Sequence, residues 1–243
     1  LSGGSECRVL DKLPERLRNL AEPGTSLGGS RPKAVVEDEN GLWLAKFPAR
    51  GDRWNHSAIE GAMLSLAKRC GIHVPPIRVE KLGQESVLLV RRFDREKTKS
   101  GYIRYRVLSG LTILGAEESP TQRRAWSYLL LADELQRRSS RPNEDKAELF
   151  RRMTFNALIS NLDDHPRNHA IVAADKEWRL APAYDLTPQP SASQERNLAL
   201  AAGLHGRAAK RDNLLSAAPR FGLEKAEANG LIDAHMAGPS GHS

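Results

Sequence analysis

Long apolar runs are missing from this chain. Hydrophobic residues make up 40% of it and charged residues 28%, and no stretch approaches the ~18 consecutive apolar residues that a membrane-spanning helix requires. A soluble protein with no membrane partner is the expectation. Cysteine is scarce as well. Only Cys7 and Cys70 occur; Cys70 falls in an apolar helical pattern, where a buried, reduced thiol is expected, and a reducing cytoplasm suits that usage. No basic start, apolar stretch and small-residue cleavage site open the chain, so no secretory signal is read. Residue 1 is Leu rather than Met, in keeping with a processed form or the later part of a longer product. Internal repeats and heptad arrays are also lacking, as are the signatures of nucleic-acid recognition folds. No Gly-Lys-Ser/Thr follows the chain's glycine-rich loop, which excludes a Walker A site.

What is present suits a two-lobed enzyme. A chain of 243 residues can bury a substantial core, as one large domain or as two compact lobes around a cleft. A net charge of +7 favours polyanionic ligands such as nucleotide, tRNA-associated proteins or DNA. Residues 11–20 read as a short helix, and Pro23-Gly24 punctuates the entry to the loop Gly24-Thr25-Ser26-Leu27-Gly28-Gly29. Strand-like runs at 34–36 and 42–47 flank a turn whose Asn40-Gly41 pair supplies positive-φ residues for a hairpin. Ile59, Met63, Leu66, Ala67 and Cys70 recur at helical spacing, with Gly71 as the C-cap. Two short strands follow at 77–80 and 86–90. From about Tyr105 the chain reads as mainly helical, clearest at 127–138 and 145–160, interrupted by a hairpin at 171–173 and 178–180. The tail at 237–243 reads as disordered. The fold class is α+β, with a sheet-rich lobe over 1–95 and a mainly helical lobe over 96–243.

Five polar landmarks stand in the order in which phosphoryl transfer would use them. The reaction needs backbone donors over phosphates, a cation, metal-binding acids and a carboxylate beside the incoming hydroxyl. Gly24, Gly28 and Gly29 let backbone N–H groups approach phosphate oxygens, with Ser26, Ser30 and Lys33 nearby. Lys46 lies in an apolar strand, where an ammonium needs an anion, and Glu60 or a nucleotide phosphate would serve. The polar loop 161–169 follows a helix and does not readily continue it, because Pro166 cannot sit in a helix interior. There Asp163 and Asn168 have the Asp-x-x-x-x-Asn spacing of a catalytic loop, and Arg167 could neutralise a transferring phosphoryl group. Asp185 follows the hairpin as a second magnesium ligand. Two other readings stay open: a one- or two-metal phosphohydrolase or nuclease built on Asp163, Asp164, His165, His169 and Asp185, and a helix end rich in capping groups.

At these residues the sequence resembles the HipA-like serine/threonine kinases, the toxins of bacterial HipBA-type toxin–antitoxin systems. The resemblance rests on residues 26–33 (SLGGSRPK), 44–48 (LAKFP), 67–75 (AKRCGIHVP), 92–95 (RFDR), 161–168 (NLDDHPRN) and 181–185 (APAYD). It implies a bilobal protein kinase-like fold, ATP and Mg2+ as cofactors, and phosphorylation of a protein serine, family substrates including aminoacyl-tRNA synthetases. Residue by residue it implies Asp163 as catalytic aspartate, Asn168 and Asp185 as metal ligands, and Lys46 as the phosphate-binding lysine. Gly28, Gly29, Ser30, Arg31, Pro32 and Lys33 become the loop over ATP, and Arg91, Arg92 and Phe93 the hinge near adenine. His165, Arg167 and Tyr184 lie beside the nucleotide, and Ser26 is the autophosphorylation site. A cognate antitoxin, and through it operator DNA, are the implied partners; an inactive kinase-like module binding them is the alternative. Little of the family's N-terminal segment fits into residues 1–23, in keeping with a split or truncated member. The stretch after Asp185 is short, so helices completing the larger lobe are expected to be missing.

Overall fold

The computed structural model describes residues 31–49, 51–82, 85–190, 193 and 195–238. Cys7, the helix predicted over 11–20, Gly24, Ser26, Gly28, Gly29, Ser30 and the end of the tail lie outside them. The chain divides into two compact units, one holding Pro75–Arg104 and the chain up to Ala62, the other Met63–Val74 and the chain from Tyr105.

In the first unit the predicted hairpin forms, but its two loop residues are Glu39 and Asn40, and of the Asn40-Gly41 pair only Gly41 takes a positive φ. Strands β1 (Lys33–Asp38) and β2 (Gly41–Lys46) pair antiparallel, with Asp38 opposite Gly41 and Lys33 opposite Lys46. Gly41 sits at φ 123°, a conformation that residues with a Cβ rarely adopt. Strands β3 (Ile77–Leu82) and β4 (Glu85–Arg91) complete an antiparallel sheet in the order β1-β2-β4-β3. Interior β4 is buried throughout its middle, which explains its unbroken apolar run. Val36, Trp43, Ala45, Phe47, Val87 and Leu89 form the core.

Helix α1 (His56–Arg69) occupies the predicted span, but its buried stripe is Ser57, Glu60, Gly61, Leu64 and Ala67 rather than the purely apolar set around Ile59 and Met63. Close approach is the reason. A Cβ on Gly61 would lie 2.6 Å from Val79 Cγ2, so only glycine lets this helix face sit against β3. Cys70, one residue past α1, is half-buried rather than buried, and that partial burial pushes its thiol pKa up.

A hairpin that the sequence reading did not predict, β5 (Arg95–Thr98) and β6 (Gly101–Arg104), continues the unit. Its residues are mostly polar and exposed, so no apolar alternation announced it. Polar contacts hold it: Lys97 Nζ donates to the Asp38 carbonyl at 3.0 Å, and Tyr102 Oη to Glu37 Oε1 at 2.8 Å.

The second unit is built on helices α3 (Tyr128–Arg138) and α4 (Pro142–Ile159), which follow the short α2 (Gly110–Ile113). Ser127 caps α3 by accepting from Leu129 N at 3.1 Å; Pro142 opens α4, and Ser160 ends it at φ 58°. Leu131, Leu135, Leu149, Phe150 and Met153 share one apolar core. The segment after Asp185 is richer in structure than expected. It forms α5 (Arg211–Ser216) and α6 (Lys225–Ala237), whose Leu214, Ala228 and Ile232 enter that core. α5 spans only six residues and α6 is rich in alanine, so neither carries a clear apolar period in the sequence.

A three-stranded sheet, β7 (Arg106–Ser109), β8 (Ala170–Ala174) and β9 (Glu177–Leu180), lies in the same unit in the order β7-β8-β9. Asp175 and Lys176, at φ 51° and 77°, make the tight turn of the predicted hairpin. β7 falls where the sequence reads as mainly helical, and its antiparallel pairing with β8 makes it a strand instead. Buried Asp145 ties α4 to β9, accepting from Ser139 Oγ at 2.6 Å, Leu180 N at 2.8 Å and Arg179 Nη2 at 2.9 Å. Among the described residues no helix is long and apolar enough to cross a membrane.

Candidate active site

In the sheet unit, the ammonium that the sequence left in an apolar strand has its anion. Lys46 Nζ donates to Glu60 Oε1 at 2.6 Å, and the two residues are only 8% and 7% exposed. Ser57 Oγ donates to the Lys46 carbonyl at 3.1 Å, fixing α1 against the end of β2. Lys33 lies opposite Lys46 in the β1–β2 register, and the Pro32 carbonyl accepts from Phe47 N at 3.0 Å, so the chain leaving the glycine loop is pinned beside Lys46. Arg31 pairs with Asp52. Arg91 is exposed at the end of β4, its N–H donating to the Pro76 carbonyl at 2.9 Å. The Arg92 guanidinium makes a fork with Asp94, Nε to Oδ1 at 2.9 Å and Nη2 to Oδ2 at 2.7 Å, next to half-buried Phe93. Burial would raise the Asp94 carboxyl pKa, but the arginines Arg92 and Arg95 more than offset it and hold it low.

In the helical unit, the loop after α4 turns through Ser160 and brings two adjacent acids to opposite fates. Asp163 is exposed, and its carboxylate has no hydrogen bond or ion pair among the described residues. The loop uses its backbone instead: the Asp163 carbonyl accepts from His165 N at 2.8 Å and from Asn168 Nδ2 at 3.4 Å. Asp164 is 1% exposed and accepts from Tyr128 Oη and, at 2.9 Å, from His169 Nε2. Burial, then the Asp164 charge, pushes the Tyr128 phenol far up, keeping the proton it donates. Asn156 Nδ2 reaches Tyr128 Oη at 3.0 Å, and Asn161 Nδ2 bridges Asn156 Oδ1 at 3.1 Å to the Asp185 carbonyl at 3.3 Å. One buried polar chain thus ties the Asp163 loop to the backbone of Asp185, which sits at φ 56°. Tyr184 Oη donates to the Arg167 carbonyl at 2.8 Å; burial, then Asp185, raises its phenol pKa. Arg167 itself pairs with Glu118 at 2.5 Å.

An open pocket of about 670 Å³ adjoins this loop, with Asp163, His165, Leu162 and Trp126 among its lining residues.

The HipA-like C-terminal domain family matches residues 25–238. The chain belongs to that family. Its fold is also that of the HipA chain in the Shewanella oneidensis MR-1 complex of HipA, HipB and operator DNA, with a TM-score of 0.71 at 19% identity over 89% of this chain and 57% of that one. The Helicobacter pylori proinflammatory kinase CtkA aligns with a TM-score of 0.61 at 14% identity, covering 90% of this chain and 92% of that chain. The architecture is therefore kinase-like. Two Sinorhizobium fredii (strain NBRC 101917 / NGR234) proteins named as candidate kinases are similar in sequence. Y4mE is 26% identical over 74% of this chain and 46% of its own length, and Y4dM 27% identical over 62% and 38%. The chain thus spans less than half the length of these curated relatives.

The HipA-like reading and the metal-hydrolase reading ask different things of the loop. Asp164 and His169 are buried against each other and against Tyr128, so they are not available as ligands beside Asp163. Among the described residues no group of three or more His, Cys, Asp and Glu side chains converges as a metal would need. Asn168 and Asp185 offer an amide oxygen and a carboxylate, a hard oxygen set that suits magnesium. The amide nitrogen of Asn168 faces the Asp163 carbonyl, and its oxygen accepts no hydrogen bond among the described residues.

Sequence reasoning missed Tyr128 and Asn156, which hold the loop from below. Their signal was a polar group at apolar helical positions. It also missed Gly110, whose N–H donates to the His169 carbonyl at 2.7 Å and whose added Cβ would stand 2.5 Å from the Pro166 carbonyl oxygen. Gly110→Ala is expected to destabilise the protein by about 1–3 kcal/mol, the usual cost of overpacking against backbone. Thermal melting checks it; an unchanged midpoint would mean that the loop yields freely there.

Proposed function

We propose that the chain is an ATP-dependent serine/threonine protein kinase unit that transfers the γ-phosphoryl group of ATP to a protein hydroxyl. The observation that carries this reading is the buried Lys46–Glu60 pair. Buried ion pairs are seldom better for stability than apolar side chains of the same volume. A functional role explains this one better, since the pair holds an ammonium in fixed orientation for phosphate oxygens. In the reaction, the acceptor hydroxyl oxygen bonds to the γ-phosphorus as the bond from that phosphorus to the β–γ bridging oxygen breaks. ADP leaves with the electron pair, and the hydroxyl proton passes to Asp163. Asn168 and Asp185 would hold Mg2+, which when bound offsets phosphate charge.

In this reading the sheet unit is the nucleotide lobe and the helical unit the catalytic lobe. Lys33 and Lys46, with Gly28, Gly29, Ser30, Arg31 and Pro32, take the phosphates; Arg91, Arg92 and Phe93 take the adenine end. His165, Arg167 and Tyr184 flank the nucleotide. Ser26 is the self-phosphorylated residue. An aminoacyl-tRNA synthetase as substrate, a cognate antitoxin with its operator DNA as partner, and a cytoplasmic location complete the proposal, supported by membership of the HipA-like family.

The test is intact-mass spectrometry of the purified chain with ATP and magnesium, with phosphate mapped by fragmentation. One added phosphate on Ser26, prevented by chelating the magnesium, is expected. Lys46→Met should weaken ATP binding by about 10-fold or more, the loss of a charge-assisted contact. The absence of both phosphate transfer and a Lys46-dependent affinity for ATP would sink the reading.

A further inference from the structure

The pocket of about 670 Å³ beside Asp163 falls in the size range of ligand sites, roughly 300–1,000 Å³, and its charge is uneven. Arg123 and Arg207 line it together with Asp163, Glu118, Trp126 and His165. The Glu118 carboxylate is engaged by Arg167 at 2.5 Å, so its charge is offset. Neither Arg123 nor Arg207 forms an ion pair or side-chain hydrogen bond among the described residues. Arg123 lies over the Trp126 ring at 5.6 Å from its centre, which orients the guanidinium without neutralising it. Arg207 is set by backbone: its carbonyl accepts from Leu198 N at 2.9 Å, and Ala209 N donates to the Arg196 carbonyl at 2.8 Å, making a ladder of residues 196–209. Two cations that form no ion pair among the described residues, one of them oriented by an indole ring, therefore border a pocket that contains an unpartnered carboxylate.

We propose that this pocket is the acceptor site and that Arg123 and Arg207 select a protein segment carrying Asp or Glu side chains within a few residues of the hydroxyl to be phosphorylated. The proposal rests on the kinase reading for Asp163 and adds the substrate's chemistry. Asp163 alone would repel an acidic segment. The two guanidinium groups reverse that sign and offer forked donors that match carboxylates.

The test compares fluorescein-labelled serine peptides whose flanking residues are acidic, alanine or lysine. Fluorescence anisotropy without nucleotide gives binding, and ATP with magnesium gives transfer to the same peptides. Acidic peptides should bind about 10-fold or more tighter than lysine ones, equivalent to ~1.4 kcal/mol. Raising salt from ~0.05 to ~0.5 M should shrink the difference, because partly exposed charges are screened. The double variant Arg123→Glu/Arg207→Glu should invert the preference, while Arg123→Lys/Arg207→Lys should keep most of it, each with a melting curve to show that it folds. Equal binding of all peptides, or a preference that survives charge reversal, overturns the proposal. Tighter binding of a polyanionic RNA oligonucleotide than of the acidic peptide overturns the commitment to a protein substrate. Acidic selectivity in binding with no phosphate transferred to any peptide or to the chain itself overturns the kinase reading and leaves the anion site. Transfer without acidic preference does the reverse.

Discussion

Asp163→Asn is expected to slow phosphoryl transfer by about 10²–10⁴-fold, the usual worth of a positioned general base, while ATP affinity stays within about threefold and stability within roughly 0.5 kcal/mol. The separation follows from how the loop is held. Its internal hydrogen bonds from His165 N and Asn168 Nδ2 end on the Asp163 carbonyl, not on its carboxylate. The side chain is exposed and borders the open pocket, so the substitution removes a proton acceptor without emptying a packed site. Single-turnover transfer from ATP measures the chemistry; nucleotide titration and chemical denaturation measure the rest. Transfer at the wild-type rate would remove Asp163 from the mechanism. A large fall in stability would mean that the carboxylate is structural and that the rate loss says nothing of its chemistry.

Asp163 and Asp164 show how far a sequence reads. Their spacing to Asn168 identifies a loop, and the first acid is the one that stands exposed. Nothing in the order of residues, however, tells that the second is 1% exposed and bonded to Tyr128 and His169, because those partners lie 36 and 5 residues away and meet it only once the helices have packed. The β1–β2 hairpin was legible from its local turn residues, although only Gly41 of the Asn-Gly pair takes the positive φ, as was the β8–β9 hairpin from its apolar runs. Lys46 was legible as a charge in need of a partner. Glu60 was one of the two candidate partners; choosing it depended on α1 presenting Glu60 on its buried face, and the apolar residues of α1 pointed one position away from that face. The β5–β6 hairpin was illegible for the opposite reason: it is exposed, and polar contacts to Glu37 and Asp38 hold it rather than a patterned apolar face. Local turn and charge signals carried as far as the hairpins and the lysine in need of a partner, and what tertiary packing decided had to be seen.

Asp164→Ala is expected to cost about 2–6 kcal/mol of folding stability, at about 1–3 kcal/mol for each of two buried donors left without an acceptor, and so to lower the denaturant midpoint sharply at constant slope. The carboxylate is the shared acceptor for two buried donors. With it gone, Tyr128 Oη keeps only the contact with Asn156 Nδ2, at 3.0 Å, in which it is the acceptor, so its own proton has no acceptor left. His169 loses the bond at Nε2 while Nδ1 is already buried without a hydrogen-bond partner, so the ring would have none. The high Tyr128 pKa closes the ionised phenolate as an escape, since burial disfavours it even without the neighbouring charge. Asp164→Asn separates charge from shape. Its amide oxygen still accepts one donor and its NH2 faces the other, so a loss of about 1–3 kcal/mol is expected, that of one unsatisfied buried group. A smaller loss for alanine than for asparagine would contradict this account, because it would mean that the cavity is filled by water or closes, with both donors satisfied elsewhere. If the buried chain through Asn161 to the Asp185 carbonyl carries the geometry of the site, Asp164→Asn should also weaken magnesium-dependent ATP binding more than binding measured without magnesium. A purely structural residue would lower both alike.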